Sequence, residues 1–225
     1  MQAWLRIQAL VWGPALIALA VAGWWIAPSW WFGTMGLSFA VLVVVLRAFR
    51  GPADAVTVTR LGGLIVLATT IAAAPSWWQW LGFVGFVALD LVDGWLARRY
   101  GATAEGAVLD MEADQFTVLA LALCIARAGG AGHVLLLPGI RYAFVLASAL
   151  LGLPAHDPKP VAGDNRRGRR CCAIVMVALL LALMPGVPRI GGDVATAVAV
   201  LVLGWSFASD ARYLLGRLRA ARSMS

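Results

Sequence analysis

Eight apolar runs, each close to the length of a membrane span, fill most of this 225-residue chain, at about 8–27, 31–47, 57–75, 78–97, 106–127, 131–151, 171–187 and 193–210. A helix crossing the hydrocarbon layer needs about 20 mostly apolar residues, and in lipid its backbone polar groups must be satisfied within the helix itself. The pattern predicts an all-α polytopic membrane helix bundle with short connections. With 62% hydrophobic and 13% charged residues and a mean hydropathy of +0.85, a soluble domain is excluded. No repeat of fixed period is present.

Charge placement orients the bundle. An even number of spans puts both termini on one side, and on that side fall Arg6, Arg47, Arg50, Arg60, Arg98, Arg99, Lys159, Arg166, Arg167, Arg169, Arg170, Arg212, Arg217, Arg219 and Arg222. The other side holds only Arg127 and Arg189, and Arg141 lies within a span. This asymmetry predicts a multi-pass protein of the cytoplasmic membrane with both termini in the cytosol. The net charge of +7 is then mostly topology. Nucleic acid is excluded as a partner, because no basic stripe alternates with aromatics. Seven of the eleven tryptophans, Trp24, Trp25, Trp30, Trp31, Trp77, Trp78 and Trp80, fall at the expected outer ends, where indoles favour the headgroup layer. Cys124, Cys171 and Cys172 suit neither a disulfide framework nor a zinc site.

The first two runs contain no ionisable residue between Arg6 and Arg47. Residues 1–50 therefore read as an N-terminal transmembrane hairpin, retained as an anchor or a subunit contact, and 51–225 as a core of six spans.

Acidic residues stand where lipid disfavours them. Asp90, Asp93, Asp110, Glu112 and Asp114 lie in or beside two consecutive spans, and each charge at bilayer depth costs about 2.5–3.5 kcal/mol on insertion scales. Asp90, Asp93, Gly94 and Ala97 share one helix face by their spacing of three, four and seven. Gly106, Asp110 and Asp114 share another, and Glu112 is off it. The connection from Arg99 to Glu105 is short, so the two helices are expected to be antiparallel neighbours turning four carboxylates into one cavity. Such an oxygen-only cluster suits one or two hard divalent ions, Mg²⁺ or Mn²⁺, while the same residues are also compatible with the ion pathway of a cation-coupled transporter. Gly94, Ala97 and Gly106 allow either close helix packing or close approach of a ligand.

The stretch Asp90-Leu-Val-Asp93-Gly94-Trp-Leu-Ala97-Arg98, seven residues, then Gly106-Ala-Val-Leu-Asp110-Met-Glu-Ala-Asp114 resembles the signature D-x-x-D-G-x-x-A-R … G-x-x-x-D-x-x-x-D of the CDP-alcohol phosphotransferases, with all eight defining positions present. The resemblance covers about residues 52–225. It implies a six-helix membrane enzyme, commonly homodimeric, that transfers the phosphatidyl group of CDP-diacylglycerol to a small alcohol and releases CMP, with the active site facing the cytosol. It further implies Asp90, Asp93, Asp110 and Asp114 as ligands of Mg²⁺ or Mn²⁺, two ions in all, with Asp114 also the catalytic base. Gly94, Ala97, Arg98, Thr103 and Gly106 match positions around the CDP group. Pro52-Ala-Asp54-Ala-Val-Thr57-Val-Thr-Arg60 is similar to the family's P-N-x-x-T-x-x-R segment, with Asp54 for Asn and one extra residue after Pro52; it adds Thr57 and Arg60 to the CDP contacts. Intramembrane prenyltransferases also place aspartate motifs on separate helices, but they lack the G-x-x-A-R continuation.

The acceptor is written less clearly. Arg141 sits mid-span, and either pairs with one of the aspartates or contacts an acceptor phosphate. Arg166 belongs to the run Gly163-Asp-Asn-Arg166-Arg167-Gly-Arg169-Arg170, which serves topology and anionic lipid or binds a substrate phosphate. This positive charge favours a phosphorylated polyol, such as glycerol phosphate or inositol phosphate, over serine.

Overall fold

In a computed structural model of the chain, residues 30–46, 51–71, 75–101, 103–150 and 165–223 are described, and they hold seven α-helices. These are α1 (Trp30–Leu46), α2 (Pro52–Thr69), α3 (Trp77–Tyr100), α4 (Ala104–Arg127), α5 (Leu136–Leu150), α6 (Asn165–Leu183) and α7 (Arg189–Ser223), with a 3-10 turn at Gly132–Leu135 before α5. The expected span at 8–27 lies outside the described residues, as does Lys159. The all-α class stands. Two helices, α3 and residues Arg189–Tyr213 of α7, are long and apolar enough to cross a membrane.

Local chemistry explains where several boundaries moved. The third run was expected from residue 57, but α2 begins at Pro52, whose fixed φ suits a first helical turn and follows an extended Gly51. Ser76 and Gln79 close a capping box on α3, each side chain accepting from the other's backbone N–H, at 3.3 and 2.9 Å. Gly101, at φ +94°, turns the chain after α3. Thr103 Oγ1 then accepts from Gly106 N at 2.9 Å and starts α4. At the C-terminal end α7 runs to Ser223, well past the expected 210; its 35 residues measure about 52 Å, more than a hydrocarbon layer is thick.

The centre of the bundle is α4. Leu109, Ala113, Phe116 and the whole stretch from Val118 to Ala126 are buried, and α1, α2, α5 and α6 all pack against this helix. Helix α1 contributes to that core, burying Met35 and Phe39 and setting Phe39 edge-on to Phe116 at 5.9 Å. Phe83 of α3 is buried, but many large apolar side chains of α3 and α7 point outward, among them Trp77, Trp78, Leu91, Val194, Leu201 and Trp205. A perimeter of this kind is what a lipid-facing surface requires. Trp80, one of the tryptophans expected at the outer interface, donates its indole N–H to the Leu180 carbonyl at 2.8 Å and ties α3 to α6.

One expectation about the bundle is overturned. The helices carrying the acidic motif, α3 and α4, are consecutive but do not pack side by side. Helix α2 packs extensively against both. Gly63 permits its close fit to α3, since a Cβ there would lie 2.3 Å from the Phe86 ring. A short connection brings the ends of two helices together; it does not oblige their lengths to touch.

Candidate active site

Because α2 packs on both acidic helices, the residues on its inner face decide how the carboxylates meet. Asp54, Thr57 and Arg60, spaced by three, are all buried. Arg60 is the largest fully buried side chain, at 2% exposure. Its Nη1 donates to Asp90 Oδ1 at 2.7 Å and to Asp114 Oδ1 at 3.2 Å, and its Nη2 donates to Asp110 Oδ1 at 3.2 Å. Its Nε lies 3.5 Å from Asp93 Oδ2. One guanidinium thus touches all four motif aspartates, from two helices that do not otherwise pack together.

The four carboxylates are not equivalent. Asp93, 4% exposed, accepts from Thr57 Oγ1 at 3.0 Å and is held against α2. Asp90 and Asp110 are each nearly half exposed and Asp114 less so. These three present oxygens within 4.8 Å of one another. Oxygen-only donors at that spacing suit a hard divalent cation, so the residues fit a metal ion, and the arginine already among them shows that positive charge is accommodated there.

Around this cluster the remaining motif residues take definite places. A Cβ on Gly106 would stand 2.8 Å from Asp54 Oδ1 and 2.9 Å from Thr103 Oγ1, so glycine is needed for the start of α4 to approach α2. Thr103 is itself the cap of α4. Gly94 is open except for Arg98 Nη1, 3.4 Å from where a Cβ would be. Ala97 is half-buried and Arg98 exposed on the same helix.

Asp114 also belongs to a second feature. It lines a cavity of about 340 Å³ between α4, α5, α6 and α7, with Gln115, Arg141, Phe144, Ser206 and Phe207 among the other walls. Arg141 pairs with Glu112, which is 2% exposed. The partner is therefore not one of the four aspartates but the acidic residue that helical spacing set apart from them. The side chain of Arg166 lies outside the described residues. Its neighbour Arg167 donates to Asp210 at 2.5 Å and lies over the Trp205 ring at 5.7 Å, joining α6 to α7.

A family model for CDP-alcohol phosphatidyltransferase matches residues 50–208, more than two thirds of the chain. The chain belongs to that family. No curated protein and no solved structure matches it. As a CDP-alcohol phosphatidyltransferase it is an integral membrane enzyme, a transferase of phospholipid biosynthesis, and membership implies transfer of a phosphatidyl group from CDP-diacylglycerol to an alcohol. The resemblance carried by the aspartate motif is thereby shown. What the motif did not reveal is the position of Arg60 between all four acids and the Glu112–Arg141 pair. Spacing by three along α2 was the available signal for the first, and for the second the two isolated in-span charges, Glu112 and Arg141.

Proposed function

We propose that this phosphatidyltransferase moves the phosphatidyl group of CDP-diacylglycerol to a phosphorylated polyol, such as glycerol phosphate or inositol phosphate, and releases CMP. The observation that carries the reading is the double membership of Asp114: it is part of the carboxylate cluster and part of the wall of the adjoining cavity. A residue so placed can accept the proton of an alcohol held in the cavity while the donor diphosphate lies at the cluster.

Asp90, Asp93, Asp110 and Asp114 would hold divalent ions, Mg²⁺ or Mn²⁺ and two in number. Bound there, such ions supply positive charge that polarises the diphosphate and stabilises departing CMP. The chain's own residues do the positioning. Thr57 fixes Asp93, and Gly94, Ala97, Arg98, Thr103 and Gly106, on α3 and the start of α4, line the place where the CDP group rests, with Arg60 supplying positive charge beside it. Arg141, reaching the cavity from α5, and Arg166, at the start of α6, meet the acceptor phosphate. One Arg141 nitrogen is engaged by Glu112, and a guanidinium carries five N–H donors in all.

The arginine asymmetry supports an enzyme with both termini and the active site on the cytosolic face of the cytoplasmic membrane, and residues 1–50 are read as an N-terminal hairpin whose second helix, α1, packs into the 51–225 core. The resemblance supports a homodimer. The test is purified protein with CDP-diacylglycerol, Mn²⁺ and a panel of alcohols, following CMP. Release with phosphorylated polyols and not with serine is expected; release with serine alone overturns the acceptor assignment, and no release with any alcohol overturns the reaction.

A further inference from the structure

Arg60 has a place that substrate binding alone does not explain. Its guanidinium donates to the Oδ1 atoms of Asp90, Asp110 and Asp114, the three residues whose oxygens converge closely enough to ligate an ion. Its Nε is buried without a hydrogen-bond partner, 3.5 Å from Asp93 Oδ2. Four carboxylates share this one guanidinium, Asp93 buried and Asp90, Asp110 and Asp114 partly open to the outside. The cluster is thus short of cations even with Arg60 in place.

Sterics and electrostatics both oppose simultaneous occupancy. A divalent ion draws its carboxylate ligands to about 2.0–2.6 Å, closer than the 2.7–3.2 Å at which Arg60 holds the same carboxylates, and its charge repels the guanidinium. We propose that Arg60 is the internal counter-ion of the metal-free enzyme, which a divalent ion must displace, so that ion binding and release of Arg60 are one exchange. The inference rests on the metal-site reading above. The geometry allows the exchange without unravelling the site, because Asp93 is independently held by Thr57, one turn before Arg60 on α2. The cost of displacement weakens ion affinity in the empty enzyme. The displaced guanidinium is then available to the anionic diphosphate, which makes donor and ion binding mutually favourable.

The experiment titrates Mn²⁺ into metal-stripped protein in lipid nanodiscs and reads free Mn²⁺ by electron paramagnetic resonance, comparing wild type, Arg60→Gln and Arg60→Lys, with melting temperature recorded alongside. Arg60→Gln is expected to bind Mn²⁺ at least tenfold more tightly than wild type, to melt lower when metal-free, and to gain more from Mn²⁺. Arg60→Lys keeps the charge but cannot bridge several carboxylates, so it is expected to fall between the two; it also serves as the reporter should the glutamine variant fail to fold. Equal or weaker Mn²⁺ binding by the variants overturns the exchange while leaving the metal site standing. Absence of Mn²⁺ binding in every protein, wild type included, overturns both.

Discussion

Two arginines in this bundle solve opposite problems. Arg60 on α2 is shared among four aspartates at a partly open site, whereas Arg141 on α5 is matched to a single buried carboxylate, Glu112. The first arrangement lacks positive charge and is suited to receive ions and a nucleotide. The second is balanced and holds a side chain at the wall of a cavity. Both charges lie within apolar helices, so the ratio of acids to bases, more than the presence of charge, separates a site that recruits ligands from a pair that positions a residue.

The largest effect that sharpens this contrast is expected at Asp114, which touches Arg60 and the cavity alike. Asp114→Asn should lower the rate of CMP release by about 10²- to 10⁴-fold, the usual contribution of a positioned base, with near-normal melting. Full turnover would remove its assignment as base. Breaking the balanced pair should act on folding instead. Glu112→Gln leaves Arg141 without its counter-charge, and removing one partner of a buried pair costs about 3–5 kcal/mol; because Arg141 is partly exposed, the lower end is expected, read as a lower midpoint of unfolding in detergent. Combining Glu112→Gln with Arg141→Met in one protein should restore most of that loss. If the single and double variants melt alike, the pair has no structural role.

Smaller effects follow at the edges of the two regions. Gly106→Ala forces a methyl group toward Asp54 and Thr103, and overpacking of this kind costs about 1–3 kcal/mol. Its signature should be weaker binding of the donor, measured as a raised KM for CDP-diacylglycerol. Arg167→Ala removes a partly exposed pair with Asp210, for which about 0.2–1 kcal/mol is expected, a control against which the Glu112 result is judged.

Much of this was legible in the sequence, and what was not divides between contacts distant along the chain and local effects at helix ends. The aspartate face of α3 and that of α4 could be read from three- and four-residue spacing, because periodicity along one helix fixes which side chains lie on one side. Periodicity says nothing about which other helix covers that side. The seven residues between Arg98 and Gly106 suggested that α3 and α4 touch along their lengths, yet α2 lies against both and delivers Arg60 from 30 to 54 positions away in sequence. Glu112 was correctly set apart from the aspartates, but its partner 29 residues on was out of reach of any local pattern. Likewise hydropathy located the apolar runs, while helix ends depended on Pro52, Ser76 and Thr103, whose effects are local and stereochemical. The α7 overrun past 210 is helical but interrupted by Arg212, Arg217, Arg219 and Arg222, which end an apolar run without ending the helix.

The central claim is that the carboxylates gathered on α3 and α4 do their chemistry with divalent ions. Its most direct test follows CMP release from CDP-diacylglycerol by the purified enzyme, first with excess EDTA and then with Mn²⁺ restored. The account predicts that turnover disappears under chelation and returns with the ion; undiminished CMP release in EDTA would contradict it.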